Sequence, residues 1–184
     1  MIGALAGRRI DAPGVALPRF PIDRVEAVEN RIREALEADK IEILVCAAAC
    51  GADLLALSAA AKLGVRRRVV LPFSIDLFRD RSVTDRPGPY PWGALYDRFV
   101  QEARSSDDLE LLSLHPDDPV AYERTNEVIL DDALSLATSR GDGTEALAVW
   151  DESLRTEHDY TEQFMLAAVR RGIAVRSIGI FGSG

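Results

Sequence analysis

Apolar positions along this chain follow two alternating patterns. Short, nearly unbroken apolar runs occur at residues 2–7, 41–48, 68–73, 109–114, 146–150 and 173–178. Each has the length of a strand, and the near-continuous apolar character suits strands buried on both sides. Between them, apolar residues recur every three to four positions. Ile22, Val25, Val28, Ile32 and Leu36 mark one buried face of a helix over 22–38, with Pro21 suited to its first turn. Residues 52–63 are apolar almost all round, which predicts a fully buried helix opened by Gly51 and stopped by Gly64. Trp92, Leu95, Tyr96 and Phe99 predict another helix. Asp117-Asp118-Pro119 opens a helix running to about Thr138, and residues 160–171 form the last, closed by Gly172. Residues 11–21 and 74–93, both proline-bearing, read as loops, the second long enough for a binding loop or lid.

Strands alternating with helices predict an α/β fold, a mainly parallel sheet of about six strands with helices on both faces. At 184 residues the chain reads as a single domain, 1–184. Such sheets bind ligands beyond the carboxyl ends of their strands. That places the candidates at residues 7–11, 48–53, Pro72, Phe73, His115 and 150–161.

Composition narrows the ligand. Apolar residues make up 47% and charged residues 28%, an ordinary globular balance. The 22 basic and 30 acidic side chains leave a net charge of -8, which repels nucleic acid and anionic membrane. An anionic ligand therefore needs a local site, and neither nucleic acid nor membrane is expected as a partner. Two cysteines cannot make a disulfide framework, and no apolar run approaches the ~20 residues of a membrane span. The first residues lack the pattern of a secretory leader, so the expectation is a cytoplasmic protein.

Chemistry concentrates after the second strand, at Cys46-Ala-Ala-Ala-Cys50-Gly51-Ala52-Asp53. Small residues there, Ala48 and Ala49 included, let an anion approach a helix start whose free N–H groups and dipole favour phosphate. They equally permit tight helix–sheet packing, and both readings stand. Asp53 either caps this helix or receives a bond from ligand or loop. Arg8, Arg9 and Arg19 suit bidentate phosphate contacts, or are surface arginines. Cys46 and Cys50 read as small buried hydrophobes, with no metal or cofactor expected. Cys50, beside a helix N-terminus, is placed for a lowered thiol pKa. Asp151, Glu162 and His158 are weak candidates for acid–base work. Tyr122 and Asn126, a helical turn apart, either reach the cleft or brace a neighbouring loop.

The segment CAAACGADLLALSAAAKLGVRRRVVLPF resembles the second strand–helix–strand unit of the SLOG superfamily, which joins Smf/DprA-type DNA-processing proteins with Lonely-guy phosphoribohydrolases. Gly7-Arg8-Arg9-Ile10-Asp11 looks like the Gly-His-Arg-x-Asp opening of a bacterial branch. Arg19-Phe20-Pro21, Ser82-Val83 before Trp92, Tyr122 with Asn126, and Val149-Trp150-Asp151 are similar to further landmarks of it. The resemblance implies a Rossmann-like three-layer sandwich that binds a nucleotide or nucleotide-derived ligand as a sensor or adaptor. It implies a site of Gly7, Arg8, Arg9, Arg19, Ala48, Ala49, Gly51, Ala52, Asp53, Pro72, Phe73, Trp150, Asp151 and Thr161. Phosphate would lie on the Gly51 helix start with Arg8 or Arg9 as counter-charge, and residues 79–92 would close over the base. Pairing of two copies through helices is a further implication. Two positions depart from the pattern. Arg8 stands where the branch has histidine. WDESLRTEHDYTEQF replaces the Pro-Gly-Gly-x-Gly-Thr motif and following glutamate of the phosphoribohydrolases, so their N-glycosidic activity is the alternative rather than the expectation. An interaction module with a vestigial cleft is the third reading, and a cleft filled by Trp150 or Tyr160 would favour it.

Overall fold

The computed structural model describes residues 1–153 and 159–182. Its strands are β1 Ile2–Gly7, β2 Ile43–Cys46, β3 Arg66–Leu71, β4 Leu109–Leu111, β5 Thr144–Trp150 and β6 Ala174–Gly179. Its helices are α1 Val25–Ala38, α2 Ala52–Lys62, α3 Ile75–Ser82, α4 Trp92–Ser105, α5 Ala121–Arg140 and α6 Tyr160–Arg170, with a 3₁₀ turn at Ile22–Arg24 leading into α1. The strands form one sheet in the order β4-β3-β2-β1-β5-β6, every pairing parallel. This is a Rossmann-like α/β fold.

The two-residue period of the strands divides the core. Leu5, Leu44, Cys46, Val69, Leu71, Leu147 and Val149 pack among residues of α1, α2 and α4. Ile2, Ala4, Ala6, Ile43, Val45, Val70 and Ala146 pack instead among residues of α5 and α6. Covering both faces is what makes the strands read as continuous apolar runs. Helix α2 contacts the sheet, α1 and α4, which explains its all-round apolar sequence.

Topology positions the site. From β1 the chain builds β2, β3 and β4 to one side, and α5 then carries it across to lay β5 on the other edge of β1. Connections therefore diverge between β1 and β5, the switch point where such sheets open a crevice. Gly7 ends β1 there, opposite Val149. A Cβ on Gly7 would stand 2.5 Å from the Ala52 Cβ and 2.7 Å from Val149. Only glycine lets the end of β1 sit this close to the start of α2.

Two expectations are corrected. Residues 74–93 are not one loop: the first half forms α3, which buries Phe78 and Ser82 and exposes most of its charges. Eight residues with two buried positions give too little periodicity to be read from sequence, and the prolines at 87, 89 and 91 lie beyond it. The helix expected from Asp117 starts at Ala121, because the Asp118 carboxylate accepts the Val120 N–H at 3.1 Å and holds a turn ahead of it. No helix among the described residues is long and apolar enough to cross a membrane.

Candidate functional site

A cavity of about 460 Å³ opens at the carboxyl ends of β1 and β2, beside the switch point. That lies within the ~300–1,000 Å³ usual for small-molecule sites. Its apolar floor includes Leu5, Ala6, Gly7, Ala47 and Ala49, and Phe78, Tyr122 and Tyr160 supply aromatic walls. Its polar groups include Arg8, Arg9, Arg19 and Arg86, with Asp11, Asp53 and Asp159.

The arginines fall into two groups. Arg8 Nε donates to Asp151 Oδ1 at 2.9 Å, and its guanidinium also pairs with Asp159. Arg19 donates from Nε and Nη2 to the two oxygens of Asp151, at 2.8 and 2.9 Å, and reaches Asp159 at 3.3 Å. The four side chains balance two positive charges with two negative ones. The carboxylates are almost wholly enclosed, Asp151 being 5% exposed and Asp159 1%. Burial works against the charge on Asp151, but the bonds from Arg19 and Ser153 and the charge of Arg8 outweigh it and hold that carboxyl at about 2. Asp159 is lowered as well, burial again being overcome by Arg8. Asp159 also caps α6, accepting the N–H groups of Thr161 and Glu162 at 3.0 and 3.3 Å. One aspartate thus secures a helix start and helps neutralise an arginine just after β1 and one from the loop before α1.

Arg9 and Arg86 are placed differently. Arg9 pairs with Asp85 and approaches Cys50 Sγ at 3.5 Å, and its Nε is buried without a partner. Arg86 donates to the Ile10 carbonyl and has no carboxylate partner among the described residues. Burial and the neighbouring charge of Arg9 lower the Arg86 pKa.

The start of α2 is occupied by the chain's own backbone. Gly51 adopts φ +107°, and a Cβ there would lie 2.6 Å from the Arg8 carbonyl oxygen. Residues Arg9 and Gly51 form an antiparallel bridge. The Ala52 N–H donates to the Arg8 carbonyl at 3.0 Å, the Leu54 N–H to Ala49 at 3.3 Å and the Cys50 N–H to Ser82 at 3.0 Å. Asp53 accepts the Ala49 N–H at 3.1 Å. Burial pushes its carboxyl up to about 7, against the opposing effects of that bond and of Arg9. Cys50 is fully buried and its thiol is raised, burial outweighing Arg9, so the lowered pKa expected beside the helix start is corrected.

Of the residues expected at the site, the structure brings Gly7, Arg8, Arg9, Arg19, Ala49, Asp53 and Thr161 to the cavity wall. Ala48, Gly51, Ala52, Pro72, Phe73, Trp150, Asp151 and Glu162 stand behind or away from it. Phe73 packs edge-on against Tyr122, with ring centroids 5.7 Å apart, and so sets that wall. Trp150 donates its indole N–H to Ser177 Oγ at 2.8 Å, on the β6 side. Tyr122 and Asn126 both line the cavity, Tyr122 bonded to Ser82 at 2.9 Å and Asn126 donating to the Tyr160 carbonyl at 3.2 Å. His158 lies outside the described residues. Sequence reasoning missed Phe78 and Arg86 as wall residues, and it held Asp159 and Tyr160 inside the candidate span 150–161 without giving Asp159 a role. Only the suspicion that residues 79–92 cover the cleft pointed towards Arg86.

No family model matches the chain, and comparison with curated proteins gives no match. In structure it is similar to DNA processing protein A (DprA) from Streptococcus pneumoniae, at 15% sequence identity and a TM-score of 0.41. That likeness covers 98% of this chain and 59% of the other, so this chain spans little more than half the length of that protein.

Proposed function

We propose that the cavity binds a small nucleotide or nucleotide-derived molecule, and that the domain acts as a sensor or adaptor for it. The observation that carries this reading is one open volume at the switch point combining arginines, a buried carboxyl and aromatic side chains. A nucleotide needs these three partners, for its phosphate, its polar base edge or ribose, and its ring face. The volume is open, and Trp150 bonds away from it, which speaks against a cleft closed by its own side chains. Calorimetric titration with nucleoside mono-, di- and cyclic phosphates tests the reading. Saturable binding of at least one supports it, and no binding by any member of the panel overturns it.

A second reading, hydrolysis of an N-glycosidic bond, draws on Asp53. This cavity carboxyl is held near 7, where a proton donor works at neutral pH. Asp151 is unsuited to that role, since two arginines hold it ionised, and Glu162 does not face the cavity. Incubation with nucleoside monophosphates and chromatography for free base decides it. Release of base that disappears in Asp53→Asn favours hydrolysis, and an absence of base leaves binding alone.

A further inference from the structure

Arg8, Arg9, Arg19 and Arg86 reach one cavity, but among the described residues Arg9 and Arg86 lack the enclosed carboxylates that match the other two. Arg8 and Arg19 already share Asp151 and Asp159, both nearly sealed from solvent. A phosphate bound there would have to displace a buried carboxylate that also caps α6 or leave it uncompensated. The start of α2 is largely taken as well, since the Ala52 and Leu54 N–H groups bond to chain carbonyls and Gly51 packs on the Arg8–Ile10 backbone. Arg9 and Arg86 remain. Asp85 is the one carboxylate within ion-pair distance of either among the described residues. Among the described residues Arg9 Nε has no acceptor, and Arg86 is bonded only to a neutral carbonyl. Two partly buried guanidiniums that repel each other, with Asp85 in contact and Asp11 acting on Arg86 only from beyond ion-pair distance, form a place where an anion lowers the energy of both.

We propose that the anionic group of the cavity's ligand is held by Arg9 and Arg86, not by Arg8, Arg19 or the start of α2. The assignment rests on the nucleotide reading of the cavity. It gives the segment after α3 a specific role: Arg86 carries the charge that distinguishes a phosphorylated ligand from its bare nucleoside. Arg9 and Arg86 hold the phosphate, and the aromatic walls at Phe78, Tyr122 and Tyr160 are left for the base.

The experiment has two arms on the full chain. In the first, thermal unfolding is followed with inorganic phosphate against chloride at matched ionic strength. The variants are wild type, Arg86→Gln, Arg9→Gln and Arg81→Gln, the last an arginine outside the cavity that bonds the Pro116 carbonyl. Phosphate is expected to raise the midpoint of wild type and Arg81→Gln and to leave Arg86→Gln and Arg9→Gln unmoved. No phosphate response in wild type, or a response that persists in Arg86→Gln, overturns the assignment. In the second arm, any nucleotide that binds wild type is titrated beside its own nucleoside. Arg86→Gln is expected to weaken the nucleotide by about tenfold or more while leaving the nucleoside unchanged. Nucleotide affinity within about twofold of wild type in that variant overturns the assignment but leaves the reading of the cavity intact. A panel with no nucleotide binding, beside an Arg86-dependent phosphate response, removes the nucleotide reading and upholds the anion site.

Discussion

Arg8 with Arg19, and Arg9 with Arg86, place the same side chain around one cavity in two electrostatic situations. The first pair is matched by two enclosed aspartates and ties together the end of β1, the loop before α1, the end of β5 and the start of α6. The second pair meets one half-exposed aspartate and a backbone carbonyl. Balanced, hydrogen-bonded charges of the first kind hold a structure in place, because separating them exposes an uncompensated buried ion. Under-compensated charges of the second kind contribute little to the fold and keep their capacity for a ligand. An arginine after a strand is therefore not evidence of ligand contact until its partners are counted.

The comparison is broken first by removing the shared carboxylate. Asp159→Ala leaves Arg8 and Arg19 to share Asp151 alone, with one buried positive charge uncompensated, and strips the cap from α6, and it is expected to cost about 3–5 kcal/mol in denaturant unfolding. A loss under about 1 kcal/mol would mean that the balanced cluster is not structural. The same cluster makes the fold sensitive to acid. Asp151, lowered from 3.8 to about 2, contributes stability above pH 4 that is lost as pH falls through 2.

Asp53 gives the opposite sign. Its folded pKa is raised from 3.8 to about 7, so between these values the unfolded chain releases a proton that the folded chain keeps. Stability falls as pH rises across that window, by up to about 4 kcal/mol for this one group. Asp53→Asn, whose amide oxygen can still accept the Ala49 N–H, is expected to remove that slope and to be more stable than wild type at pH 8. Denaturation midpoints of the two proteins across pH 4–8 check this, and parallel curves would show that Asp53 is ionised in the fold throughout.

Gly51→Ala tests whether the start of α2 is closed. A Cβ at φ +107° and 2.6 Å from a carbonyl oxygen is expected to cost about 1–3 kcal/mol, and a neutral change would mean that the backbone there can move aside for a ligand. The smallest effect on the fold is expected from Arg86→Gln, within about 0.5 kcal/mol of wild type. A large loss there would turn the second pair into another structural cluster.

How far these features were legible in the sequence follows from their range. The α/β alternation, the parallel sheet and the approximate span of most elements are local patterns, and the strand at 2–7 and the helix start at 52 were read almost to the residue. Gly7, Arg9, Asp53 and Thr161 were placed at the site because the sheet rule needs only their position after a strand. The pairing of Arg8 and Arg19 with Asp151 and Asp159 spans more than 130 residues and follows from tertiary packing, so no spacing announces it. Gly51 was flagged for the right property, absence of a side chain. What approaches it is the chain's own backbone at Arg8–Ile10. Helix α3 escaped because an eight-residue helix with two buried positions has hardly a period to detect.

The most direct test is a crystal structure of the protein with a nucleotide that calorimetry shows to bind. The phosphate is predicted within hydrogen-bond distance of the Arg9 and Arg86 guanidiniums, with the Asp151–Arg8–Arg19–Asp159 cluster intact. Density for the phosphate on the first turn of α2, or between Arg8 and Arg19 with Asp151 or Asp159 displaced, would contradict the account.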